Sequence, residues 1–192
     1  MSRVLLISTA TLKKHTPIQD NVDDSLLNPY IYKAQETHIQ QILGTNLYDK
    51  VLNLVQTNTI GTVSNVAYKT VLEDYIVPCL IEYSFYEVMP FISLKITNKS
   101  IVRGNAEYAA EGDLADLKYL RQSVRDLAEF YAQRLTNFLR QYSNNYPEYF
   151  TNSGLDKIVP NSTSYFSGVY IGGTGRFQDC KWGLADRWRD IY

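Results

Sequence analysis

The sequence predicts a mainly α protein: a helical bundle with a small β-hairpin insertion and an extended aromatic C-terminal tail. Three observations carry this prediction. Apolar residues recur at three- and four-residue spacing through most of the chain up to Tyr142. Glycines, prolines and polar clusters break that period at a few places only. From Phe150 onward the period is lost, and glycine, serine, threonine, asparagine and aromatic residues take over.

The elements follow in order. Arg3–Thr9 reads as a short strand or an extended arm. A helical turn then starts at Thr9 or Thr11 and ends before Pro17, because the residue before a proline disfavours the α region. After the polar loop "PIQDNVDDSLL", Asn28 reads as an N-cap with Pro29 at the first helical position. Ile31, Ala34, His38, Ile39, Ile42 and Leu43 then form one apolar side, and Gly44 reads as the C-cap glycine. Thr45 or Asn46 starts a second helix with Leu47, Tyr48, Val51, Leu52 and Val55 inward. "QTNTIGTVSN" is a polar linker.

The helix from Val66 to about Met89 is apolar on several faces, which places it centrally in the bundle. Pro78 lies inside it and predicts a kink, or a junction of two helices; Pro90 predicts its end. "ISLKITNKSIVRG" alternates around Asn98-Lys99 and reads as the hairpin. Asp113 to about Tyr142 gives the clearest helical period, and "NNYPEY" stops it. The expected organisation is a helical-bundle domain over 1–150 and a docking tail over 151–192.

Composition limits function. The chain has 192 residues, of which 45% are hydrophobic, enough for one domain with a buried core. Its 16 tyrosines suit half-buried surfaces and interfaces. A formal net charge of -1 gives no global case for nucleic-acid binding. Cys79 and Cys180 lack metal-site or disulfide-framework spacing, and two histidines are too few for a histidine cluster. Short apolar "RVLLIST" lacks a signal-peptide pattern, and no apolar run reaches the ~20 residues of a membrane span. The expectation is a soluble protein made in a reducing cytoplasm, with no cofactor, no metal and no membrane.

The chemical candidates are few. His38 with Glu36 and Asp49 is the best acid–base set, but His38 falls on the apolar face and reads better as a packed or interfacial histidine. Glu82 and Glu87 lie in the apolar helix and read as solvent-facing or ion-paired. "GGTGRF", Gly172–Phe177, lacks the lysine and hydroxyl of a phosphate loop. Cys79 reads as a small core residue. Arg121, Arg125, Arg134 and Arg140 on the long helix read as a solvated or inter-subunit salt-bridging face, with DNA phosphates as the rival partner. No nucleophile, base and orienting group assemble by spacing, so the expectation is not an enzyme.

Two stretches, "LISTATLKKHTPI…NVDDSLLNPYIYKAQETHIQQILGTNLYDKVLNLV" and "YKTVLEDYIVPCLIEYSFYEVMPFISLKITNKSIV", resemble the head–tail connector (adaptor) proteins of tailed bacteriophages. The likeness is to the type found in phages of gut Bacteroidales, including crAss-like phages, and covers about Leu6 to Tyr149. The resemblance implies a structural virion protein at the head–tail interface. It implies a homo-oligomeric ring, commonly twelve copies, between the portal protein and the next neck or tail protein. Genomic DNA would pass through its channel with transient, non-specific contact; near-neutral charge suits a wall along which DNA slides. The tail would then dock on the portal or a neighbouring subunit through Tyr165, Phe166, Tyr170, Phe177, Trp182, Trp188 and Tyr192. The alternatives are another neck or tail-completion protein, or a helical DNA-binding protein.

Overall fold

Helices make up most of the computed structural model, which describes residues 4–96, 101–103, 114–150 and 158–160. The chain divides into two units, Met1–Ser162 and Thr163–Tyr192, and every described residue lies in the first. The protein is mainly α. Helix α1 is Thr9–His15, capped by the Ser8 side chain, which accepts from the Thr11 N–H. Helix α2, Asp24–Ala34, runs through a π turn, Gln35–Ile39, into α3, Gln40–Gln56. Helix α4, Val66–Val71, runs through a second π turn, Leu72–Ile76, into α5, Val77–Ser93. Strands β1, Leu94–Ile96, and β2, Ile101–Arg103, pair antiparallel with Lys95 opposite Val102. Helix α6, Leu114–Gln141, spans roughly 42 Å at ~1.5 Å per residue. Two 3₁₀ turns, Ser143–Asn145 and Pro147–Tyr149, follow it.

Helix α5 is the central element. It packs most extensively on α6, then on α2, and also meets α1 and the first π turn. Its Cys79, Leu80 and Val88 are fully buried and join Leu27, Ile31, Leu43, Leu47, Leu135 and Leu139 in one core. Burial of such side chains is the main favourable term holding the helices together.

Two proline readings are corrected. Helix α2 starts at Asp24, with Asp23 as its cap accepting from the Ser25 N–H, so Asn28 is not the cap and Pro29 lies inside the helix. The turn gained before the proline buries Leu27 completely and places Asp24 in the first turn, where a carboxylate suits the helix dipole. Pro90 likewise lies inside α5, which continues to Ser93. Stacking of Phe91 on Tyr30, centroids 4.7 Å apart, ties the extra turn to α2. The irregularity expected at Pro78 takes the form of the π turn immediately before it. A wider turn there suits a proline, whose ring crowds the preceding carbonyls of a regular helix.

Gly44 makes the corner within α3. Its φ of 73° and ψ of 159° belong to a region that only glycine enters readily. Beyond the corner, the Thr45 N–H donates to the Ile158 carbonyl at 3.1 Å, and the Ile158 N–H donates to Thr45 Oγ1 at 3.0 Å. A Cβ on Gly44 would lie 2.6 Å from the Pro160 ring. The glycine therefore turns the chain and admits the 158–160 segment.

The N-terminal arm buries Leu6 and Ile7 in the core, and one side chain ties down its backbone. Gln35, fully buried, accepts from the Leu6 N–H at 3.0 Å and donates to the Val4 carbonyl at 3.1 Å. Its amide also donates to the Tyr48 hydroxyl at 2.9 Å, which in turn donates to Glu36 at 2.9 Å. Gln35→Leu is expected to leave the bundle folded but release the arm. Hydrogen exchange checks it: protection at the Leu6 amide should be lost while that of α5 amides is kept.

Candidate functional site

A group of polar and aromatic side chains lies where α2 and the first π turn meet α5. Lys33 and His38 come from the former and Tyr83, Tyr86 and Glu87 from the latter. Glu87 bridges the two side chains: Lys33 Nζ lies 2.7 Å from one carboxylate oxygen and His38 Nε2 lies 3.1 Å from the other. The His38 ring stacks flat on Tyr83, centroids 4.0 Å apart and 7° from parallel, and meets Tyr86 edge-on. Only 11% of the Glu87 side chain is exposed. Burial works to raise its carboxyl pKa, but hydrogen bonds from Lys33 and His38 outweigh that and hold it below the usual range.

The structure thus separates His38 from its expected partners. Glu36 accepts from Tyr48, and Asp49 is exposed. The partner is Glu87, 49 residues away. A carboxylate that orients an imidazole is half of a general-base device. The nearby Ser84 hydroxyl donates to the Leu80 carbonyl at 2.6 Å and so belongs to the backbone of α5. Among the described residues no group of three or more histidine, cysteine, aspartate or glutamate side chains is placed to hold a metal ion. What the arrangement does is lock α2 to α5 through charge and ring stacking.

This lock makes a pH prediction. A carboxyl whose folded pKa is depressed contributes stability that is present above its unfolded pKa, about 4.3 for glutamate, and lost as pH falls through the folded value. Wild type is therefore expected to lose stability more steeply than Glu87→Gln as pH drops from about 5 to 3. Urea midpoints across that window check it. Parallel curves would contradict the Glu87 assignment.

Two arginines of α6 stack on tyrosines of the second π turn and of α5. The Arg121 guanidinium lies 4.3 Å from the Tyr86 ring centroid and that of Arg134 4.8 Å from the Tyr75 centroid. Such stacking on an aromatic face is a cation–π contact. Arg125 Nε donates to Glu129 at 2.7 Å, one helical turn on, and Arg140 is exposed. Between the two stacked pairs in sequence lies Glu82, half buried, its carboxyl pushed up by burial. Cys79 is fully buried, and burial pushes its thiol pKa up, the opposite of an activated nucleophile. Among the described residues, no helix is long and apolar enough to cross a membrane.

Tyr165, Phe166, Tyr170, Phe177, Trp182, Trp188 and Tyr192, and the Gly172–Phe177 run, lie outside the described residues. Sequence reasoning missed Gln35 and Lys33. A glutamine directly after Ala34 on the apolar side was the available signal for Gln35. Lys33 carried none, because its partner lies on another helix.

Comparison with known proteins gives one family. No curated protein and no solved structure matches the chain. A family model described as a family of unknown function (DUF6712) matches residues 39–158, from the end of the first π turn through α6 to the residue that bonds back to Thr45. That match covers more than half of the sequence, and the chain belongs to this family of unknown function (DUF6712).

Proposed function

We propose that the protein is a structural component of a tailed-phage virion, forming a ring in the neck that joins the portal to the tail and extends the DNA channel. The observation that carries this reading is the sequence resemblance to head–tail connectors. Its two quoted stretches supply α1 to α3 and α4 to β2, a scaffold built around the apolar α5. The polar groups of that scaffold support it too. The Lys33–Glu87–His38 set and the arginine–tyrosine stacks join helices to one another. A helical DNA-binding protein would turn Arg121 toward phosphates, which its half-buried place over Tyr86 disfavours. In this reading the hairpin and the 151–192 tail reach the neighbouring components, with the tail's aromatic residues as anchors.

Immunogold labelling of intact virions tests the reading. Antibody against the protein should mark the head–tail junction. Protein recovered only from the infected-cell lysate, or label confined to the capsid shell or tail tip, would contradict it.

A further inference from the structure

Helix α6 carries one flank that the described residues of the bundle leave exposed. Asp116, Leu120, Ser123, Leu127, Phe130 and Arg134 follow one another in steps of four and three, so they lie along one stripe of the helix. All six are exposed: Leu120 is 47% exposed, Leu127 44% and Phe130 60%. The core-facing residues of the same helix, Val124, Ala128, Leu135 and Leu139, form a separate buried face. Scattered exposed apolar residues need no explanation, but a continuous seam of this spacing matches the repeat by which helices pair.

The order of residues in the stripe identifies the occupant. Read from either end it is nearly the same: a charge, a large apolar residue, the centre, a large apolar residue, and the opposite charge. Laid against a second α6 running antiparallel and centred on Arg125, Asp116 meets Arg134, Leu120 meets Phe130, and Ser123 meets Leu127. The two-fold operation repeats each contact, as an isologous interface requires. The Arg134 guanidinium can keep its place over Tyr75 while its edge meets a carboxylate, since a cation–π contact uses only its face.

We infer that the exposed flank of α6 is a self-association surface that binds a second copy of this chain, antiparallel, through Leu120, Leu127 and Phe130, with Asp116 and Arg134 setting the register. One helix pair is a small interface, so the dimer is weak and concentration-dependent. The inference does not rest on the neck reading. An isologous contact closes at two copies, whereas a ring needs a head-to-tail contact on other faces.

Sedimentation equilibrium of the full chain over a range of concentrations tests it, with circular dichroism confirming that each variant is folded. Wild type is expected to pass from monomer to dimer. Asp116→Arg should weaken the dimer by about tenfold or more by facing two arginines, and Arg134→Asp should do the same with two carboxylates. The double variant D116R/R134D should recover wild-type association to within about threefold, because each reversed charge meets its reversed partner. Leu127→Lys should abolish the dimer, and with D116R it suffices if R134D, which also loses the Tyr75 stack, fails to fold. A monomer at every concentration, a dimer indifferent to D116R and L127K, or a folded double variant that stays as weak as the singles would each overturn the inference.

Discussion

Tyr146→Ala is expected to cost about 3–5 kcal/mol, the range for removing a fully buried large aromatic side chain. Tyr146 follows the end of α6 and is 1% exposed. Its ring meets Tyr68 edge-on with centroids 5.7 Å apart and lies 6.0 Å from Phe138, and its hydroxyl donates to the Ala67 carbonyl at 2.8 Å. It thus ties the turn after α6 to α4, 79 residues earlier. Neighbouring Glu148 accepts from the Tyr68 hydroxyl at 2.8 Å, and Tyr149 is buried beside it. Tyr146→Phe keeps the ring and should cost only about 1 kcal/mol, the net worth of one hydrogen bond. Urea denaturation of both variants checks this. Equal losses would mean that the hydroxyl, and not the ring, holds the turn.

Gly44→Ala is expected to cost about 2–4 kcal/mol, from two separate sources. The φ of 73° with ψ of 159° strains any residue with a Cβ, and the new methyl would lie 2.6 Å from the Pro160 ring. Protection of the Ile158 amide, which bonds Thr45 Oγ1, should fall at the same time. Adding Pro160→Gly removes the collision and leaves the dihedral strain, so the double variant should regain part of the loss. Unchanged stability and unchanged exchange at Ile158 would show that the corner does not depend on glycine.

The helices were legible because each buries one face, and a buried face leaves its period in the sequence. Leu114–Gln141 is the clearest case, and the apolar run of α5 correctly marked the centre. Local rules failed where packing overrode them. Pro29 and Pro90 read as helix boundaries, but full burial of Leu27 and the Tyr30–Phe91 stack extend the helices past them. The π turns were invisible because each inserts a residue and shifts the phase. That shift buries Gln35 and Ile39 while leaving His38 at the seam with α5. The partners of His38, Arg121 and Arg134 were illegible for a simpler reason. Each is paired with a residue of another helix, and spacing along the chain does not record such pairs. Gly44 was readable as a corner, but its role in admitting Pro160 depends on a segment more than a hundred residues later.

The most direct test of the neck reading is the mass of the purified protein in solution, alone and mixed with its cognate portal, by light scattering or native mass spectrometry. The account predicts one or two copies alone and a multi-copy ring on the portal. A protein whose mass is unchanged by the portal at any ratio would contradict it.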